Sequence, residues 1–261
     1  MRATQVSALH HQIIIAVVAF LAGLTNAVAG GGTFFTFPAL VGIAGLSEKV
    51  ANMTSTIGLL TGSAASIVAA KGEYHRIPRG MLVLFGIISL VGGVIGAVLL
   101  RMTSVEGFRL VIPWLLGFAT LVFGFSKPIA RWAGRKHGDR SLKWTLVVAG
   151  IQVLVAIYGG YFGAGIGILM LAGLSFAGLD DIHQMNALKV LLATLINGVA
   201  AVIFLFGEIN WPIAIVMSIA SSLGGFLGIA VARKMPQGVL RAVILVIAIG
   251  LTAVYFVKVY A

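Results

Sequence analysis

The chain has 261 residues, of which 60% are hydrophobic and only 10% are charged. Soluble domains carry roughly 25% charged residues, so this composition excludes an ordinary soluble protein and predicts a chain embedded in a lipid bilayer. There is no cysteine, which excludes disulfides and thiolate metal sites. The net charge of +11 comes from basic residues between apolar runs, as membrane orientation requires, so nucleic acid is not an expected partner.

Eight apolar runs reach or approach the roughly 20 residues that a helix needs to cross the bilayer core. In chain order they cover residues 13–29, 51–70, 81–100, 108–125, 144–161, 187–206, 213–232 and 239–257. The first run ends in Ala27-Val28-Ala29 and resembles a signal peptide, but the pattern recurs from Ile157, so we expect this run to belong to the fold. The predicted fold class is all-α, a polytopic protein of the cell (inner) membrane.

The chain repeats itself at an offset of about 133 residues, a feature typical of transporters that bind substrate between repeats. The motif GGxxGxxxxR begins at Gly92 and again at Gly224, and it ends at Arg101 and Arg233. Such glycine motifs also occur where helices simply pack closely. We predict a first transmembrane repeat over residues 1–126, a basic cytoplasmic linker over 127–143 and a second transmembrane repeat over 144–261.

Each half begins with a unit that is too long for one crossing and is broken by glycines. Residues 13–46 would extend about 51 Å as one helix, and they contain Gly30, Gly31 and Gly32; residues 144–179 are broken around 159–167. Such breaks persist at membrane depth only where protein or a wet cavity satisfies the backbone.

The distribution of Lys and Arg chooses between two arrangements of these broken units. If each unit crosses once, the basic residues divide 11 to 7 between the two sides; if each turns back, they divide 13 to 5. Because Lys and Arg concentrate on the cytoplasmic side, we favour the second arrangement. It predicts two homologous inverted repeats, each a glycine-broken re-entrant unit plus three transmembrane helices, with both termini outside the cell.

The polar residues inside the spans are mostly neutral hydrogen-bond donors grouped with glycine. Glycine-rich breaks expose backbone N–H groups, and a helix that starts there presents its positive end, so the pattern favours an anion. The predicted substrate-binding residues are Asn26, Gly30, Gly31, Gly32, Thr33, Asn52, Thr54, Ser55, Thr56, Tyr158, Tyr161, Gly163, Gly165, Asn186 and Lys189.

Lys189 is the most informative of these residues, because it stands where Ser55 stands in the first half. A site built from both halves would therefore carry one positive charge and one hydroxyl. Two structural roles are alternatives to substrate binding: Lys189 snorkels to the membrane interface, and the Asn and Thr side chains bond neighbouring helices.

Nothing in the sequence indicates catalysis. All seven acids lie at or near the ends of apolar runs, so no buried carboxylate pair is available for acid–base work or for a buried cation. The five histidines show no metal-ligand spacing, and the phosphate-binding motif GxxxxGK[ST] is absent. We expect no catalytic residue, no metal, no cofactor and no enzymatic activity.

Five segments together resemble the TauE/SafE sulfite exporter family, also called the TSUP family. They are LAGLTNAVAGGGTFFTFPAL, VANMTSTIGLLTGSAAS and GGVIGAVLLR in the first half, and YGGYFGAGIGILMLAGL and MNALKVLLATLINGVAA in the second. The resemblance covers nearly the whole chain. It implies a multi-pass secondary transporter for small sulfur-containing anions, such as sulfite or organosulfonates, that bind between the two repeats.

The family motifs match the two halves unequally. The second half has Gly159 where the first has Asn26, and Leu171 where the first has Pro38, so the resemblance implies an asymmetric site. A passive anion channel of the same architecture and a transporter of another small organic anion are the alternatives. The expected partners are a small-molecule anion and the lipid bilayer; the direction of transport and the formation of a homo-oligomer are left open.

Overall fold

The computed structural model describes residues 2–28, 30–134, 142–176, 182–232 and 237–261, and all the regular secondary structure within these ranges is helical. This confirms the all-α fold class. The α-helices, in chain order, are α1 (Arg2–Val28), α2 (Thr33–Gly42), α3 (Glu48–Ala69), α4 (Arg79–Met102), α5 (Val105–Gly134), α6 (Leu142–Tyr161), α7 (Ile166–Leu174), α8 (Ile182–Phe204), α9 (Trp211–Ala232) and α10 (Gln237–Tyr260). A short 3-10 helix, Tyr74–Arg76, lies between α3 and α4.

Among the residues that the structure describes, six helical segments are long and apolar enough to cross a membrane, so the protein is a multi-pass membrane protein. They are His10–Val28, Arg79–Met102, Val105–Ser126, His183–Phe204, Trp211–Gly228 and Ala242–Tyr260. Of the eight predicted runs, the remaining two differ in kind. The run at 51–70 lies in α3, which has the required length but carries a series of polar residues, and the run at 144–161 falls on the shorter apolar segment Leu146–Tyr161 of α6.

The two GGxxG motifs let helices from different halves of the chain approach closely. A Cβ atom at Gly96 of α4 would collide with the carbonyl of Ile157 in α6, and one at Gly224 of α9 would collide with the carbonyl of Phe20 in α1. Only glycine permits this backbone separation in a membrane helix pair. A close-packing role of both motifs is therefore confirmed.

Hydrogen bonds between helices establish their directions. Along α3, Thr54 bonds Asn210 and Ser66 bonds Gly225, so α3 and α9 are parallel. In two other pairs the contacting residues also advance together along both helices, so α1 is parallel to α9 and α4 is parallel to α6. Helices α5 and α10 are antiparallel, and so are α3 and α8, so the helices at these places in the two halves run in opposite directions. The turn-back arrangement requires this pattern, and the duplication itself stays a prediction.

The two ends of the helix bundle are called the linker end and the far end. At the linker end lie the α3–α4 connection, residues 70–78, the end of α5 and the start of α6. At the far end lies the α4–α5 connection, residues 103–104. Helix α5 continues to Gly134, so residues 127–134 of the predicted linker are helical. Residues 135–141 of that linker and Arg233 of the second glycine motif lie outside the described residues. The domain boundaries and the cytoplasmic position of the linker stay predictions.

Candidate functional site

The two broken units meet each other inside the bundle. Helices α1 and α2 form one hairpin and α6 and α7 the other, and Gly30 of the first break packs directly on the backbone of Gly167 at the start of α7. Gly30, Gly163 and Gly165 have φ angles of 74°, 75° and 71°. Residues with side chains adopt such left-handed angles only at a cost, so glycine is needed at these turns.

The Asn26 side chain is hydrogen-bonded to the backbone of the first break. Its Oδ1 accepts hydrogen bonds from the backbone N–H groups of Gly31 at 3.1 Å and Gly32 at 2.7 Å. The sequence predicts that these N–H groups face an anion, but the asparagine side chain occupies them instead. Because Oδ1 is used in this way, the Nδ2 hydrogens of Asn26 remain available to another acceptor.

Lys189 of α8 lies buried against the carboxyl end of α1, with only 1% of its surface exposed. Its Nζ donates to the carbonyl of Asn26 at 3.1 Å and, over a longer 3.5 Å, to that of Ala27. Asn186, one turn earlier on α8, donates from Nδ2 to the same Ala27 carbonyl at 3.2 Å. In this structure the ammonium lies against α1 and does not reach the surface, as a snorkelling lysine would.

A cavity opens beside Lys189, between the two breaks and helices α3 and α8. It has a volume of about 320 Å³ including its mouth, and it lies in the half of the molecule nearer the linker end. The lining residues are Asn26, Gly30, Ser63, Ser66, Ile166, Gly167, Lys189, Val190, Ala193 and Asn197. They include one ammonium, two amides and two hydroxyls, and no carboxylate. A cavity with this lining can donate several hydrogen bonds to a ligand and adds a positive charge.

An aromatic cluster fills the bundle on the far-end side of the breaks. The ring of Phe162 packs edge-on against those of Phe37, at 5.4 Å between centroids, and Phe108, at 6.0 Å. Phe37 also contacts Tyr255 of α10, at 5.6 Å. All four rings are buried. The cavity is therefore separated from the far end by packed side chains.

The sequence profile of the family described as "Sulfite exporter TauE/SafE" matches residues 15–256. The chain belongs to this family. A "Probable membrane transporter protein ORF9" of Sinorhizobium sp is 26% identical over 94% of this chain and 92% of its own length. A "Probable membrane transporter protein" of Haemophilus influenzae is 25% identical over 92% of each chain. The "Probable membrane transporter protein YfcA" of Escherichia coli K12 is 26% identical over 90% of this chain and 86% of its own length.

This TauE/SafE protein is thus a membrane transporter with ten described helices, and the cavity brings together only part of its predicted site. Asn26, Gly30 and Lys189 line the cavity, while Gly31, Gly32 and Asn186 support it through the bonds already described. Thr33 is the first residue of α2.

The other residues that the sequence predicts to bind substrate lie at the second break or along α3. Their hydrogen bonds are to other parts of the protein: Asn52 to Tyr161 O, Thr54 to Asn210 N, Ser55 to Thr36, Thr56 to Asn52 O, Tyr158 to Ala164 O and Tyr161 to Thr103. Gly163 and Gly165 form the bend before α7. These bonds agree with the structural role that is the alternative for the polar residues of the spans.

Seven residues that line the cavity are absent from the predicted site. Two of them are polar residues whose positions correspond in the two halves of the sequence. Ser63 and Asn197 occupy corresponding positions of the two halves, at the offset of 134 that also relates Asn52 to Asn186. Extending the comparison of the halves along α3 and α8 would have identified both. Ile166 and Gly167 belong to the glycine-rich break at 159–167, whereas nothing in the sequence distinguishes Ser66, Val190 and Ala193 from ordinary membrane-helix residues.

Proposed function

We propose that this transporter moves a small sulfur-containing anion, sulfite or an organosulfonate, which binds in the cavity beside Lys189. The observation that carries the proposal is a buried ammonium in a cavity lined by further hydrogen-bond donors and no carboxylate. An isolated charge in a membrane protein is costly, so an intramembrane lysine is retained where function requires it.

The electrostatics of the site favour a bound anion. The carboxyl end of a helix carries a partial charge of about −0.5, so the end of α1 compensates only part of the charge on Lys189. An ammonium has three N–H donors, and the two carbonyls of α1 take two of them. A bound anion accepts the third and neutralises the remaining charge.

The polarity of the cavity suits a small oxyanion. The amides of Asn26 and Asn197 and the hydroxyl of Ser63 are arranged around Lys189, and the oxygens of a sulfite or sulfonate group accept bonds from such donors.

The closed far-end side favours a transporter over the passive channel. The contact of Gly30 with Gly167 and the packed rings around Phe162 occupy the bundle between the cavity and the far end. A carrier works by opening one side at a time, whereas a channel needs a path open at both ends. Counterflow distinguishes them, because only a carrier accumulates labelled anion against an excess of unlabelled anion inside the vesicle.

The proposal is tested by flux of labelled sulfite and of a small sulfonate into proteoliposomes. Lys189→Gln is expected to lower flux at least about 100-fold, because a hydrogen-bonded charge is lost from a buried site. Lys258→Gln is the matched control: it removes a positive charge from an exposed side chain paired with Glu48, and flux should stay within twofold. Equal flux in the wild type and in Lys189→Gln contradicts the proposed site.

We also propose that the protein lies in the inner membrane of the cell with the linker end in the cytoplasm. The 13 to 5 division of basic residues supports this orientation. A reporter that is active only in the cytoplasm should be silent at the carboxyl terminus and active when inserted in the 135–141 segment. The opposite pattern overturns the orientation and leaves the anion site untouched.

A further inference from the structure

Two asparagines, one in each half, bond the carboxyl ends of the broken helices. Asn186 Nδ2 donates to Ala27 O of α1 at 3.2 Å, and Asn52 Nδ2 donates to Tyr161 O of α6 at 3.0 Å. A carbonyl accepts only from the N–H side of an amide, so these bonds fix which way each amide points. In both residues Oδ1 is buried and has no hydrogen-bond partner.

The two helix ends differ in their positive charge. Three residues after Asn186 comes Lys189, whose ammonium lies against the end of α1; three residues after Asn52 comes Ser55, whose hydroxyl bonds Thr36 at 2.6 Å. Within the described ranges, no Lys or Arg side chain donates to the end of α6. Leaving a buried acceptor unpaired is unfavourable, so a partner for Asn52 Oδ1 is expected.

We propose that the end of α6 binds a dehydrated monovalent cation, sodium, at the place that corresponds to the Lys189 ammonium in the other half. Asn52 Oδ1 and the Tyr161 carbonyl are the ligands that the structure indicates, with the Ser55 hydroxyl one turn further along α3. The negative end of α6 adds to the attraction, and the carboxyl ends of broken helices suit this role.

The chemistry of the ligands selects the charge of the ion. Calcium and magnesium are held mainly by carboxylates, and the described residues contain no group of three or more acidic, His or Cys side chains that could hold a metal. Neutral oxygens at a helix end instead suit a single positive charge. A search of the sequence for carboxylates alone does not detect such a site. The role of the ion as a coupling ion rests on the proposed function, whereas its binding does not.

Thermal unfolding of the purified protein tests the site in the absence of any sulfur anion. The chloride concentration is held constant while sodium replaces choline or potassium, so the anion site contributes equally throughout. A ligand that binds only the folded state raises the unfolding midpoint, and sodium is expected to raise it saturably by a few degrees. Equal midpoints in sodium, potassium and choline overturn the proposal.

Two variants of Asn52 keep the test decisive. Asn52→Leu should abolish the sodium response, and Asn186→Leu, the matched variant at the lysine end, should retain it. Asn52→Asp keeps the shape of the side chain and adds a charge, so its half-saturating sodium concentration should fall several-fold. This variant decides the matter where Asn52→Leu does not fold. A wild-type sodium response in the Asn52 variants that fold contradicts the site, whatever the outcome of the anion experiments.

Discussion

The breaks after α1 and α6 share a backbone design and differ in their side chains. At the first break, Asn26 bonds the start of α2 and Lys189 lies against the end of α1, with the cavity beside them. At the second, the position of Asn26 is Gly159, and the side chain of Ile166 packs on it. Similar helix breaks can therefore hold a polar cavity at one break, while an apolar side chain fills the corresponding place at the other.

The largest expected effect separates the glycines of the two breaks. Gly30→Ala should prevent folding, because it combines a left-handed φ of 74° with a Cβ that collides with the backbone of Gly167. Gly163→Ala has a similar φ of 75°, but its Cβ would meet only the Gly159 carbonyl, at 3.1 Å. It should cost about 1–2 kcal/mol. Size-exclusion profiles and unfolding midpoints of both variants measure the difference, and equal behaviour would contradict the direct contact between the breaks.

The next prediction separates the structural and binding roles of Asn26. Asn26→Ala leaves the N–H groups of Gly31 and Gly32 without their acceptor, and should cost about 2 kcal/mol or more. Asn26→Asp retains the acceptor and should keep a near-wild-type unfolding midpoint. Because its carboxylate lies close to Lys189 and repels an anion, it should lose anion binding. Full anion affinity in a folded Asn26→Asp variant would contradict the cavity as the site.

A smaller effect is expected at the two polar lining residues that are absent from the predicted site. Ser63→Ala and Asn197→Ala each remove one donor from the cavity lining. A hydrogen bond to a charged ligand is worth about 1.5–3 kcal/mol, so each variant should weaken anion binding by about 10- to 150-fold. Titration of the purified variants with sulfite measures this, with Ser222→Ala, whose hydroxyl bonds its own helix, as the control.

The smallest effect is expected at the second break. Tyr158→Phe removes the hydrogen bond from the Tyr158 hydroxyl to the Ala164 carbonyl, a distance of 2.6 Å. The loss should cost about 1 kcal/mol of stability. Anion affinity should not change, because Tyr158 does not line the cavity. A reduced affinity at unchanged stability would place the second break in the anion site after all.

The sequence predicts the parts of this protein that depend on local patterns. Apolar runs, glycine breaks and Lys189 as an unusual charge are all evident along the chain, and the family motifs fall on the same segments. The run at 51–70 is harder to classify, because α3 lies inside the bundle and its polar residues bond α9 and other helices.

The composition of the cavity could not be predicted in the same way. Ser63 reaches it because α3 packs beside α8, a contact between the two halves that no local pattern records. Thr54 and Ser55 carry equally polar side chains, yet they bond Asn210 and Thr36 outside the cavity. The use of Asn26 Oδ1 by the backbone also depends on how α2 folds back on α1.

The proposed function depends above all on Lys189 as the charge that binds the transported anion. The decisive measurement is an equilibrium titration of the purified protein with sulfite, in which wild type, Lys189→Gln and Lys258→Gln are compared at the same ionic strength. We expect saturable binding to the wild type and to Lys258→Gln, and a loss of affinity of at least about 100-fold in Lys189→Gln. Unchanged affinity in a folded Lys189→Gln variant would contradict the role of this lysine.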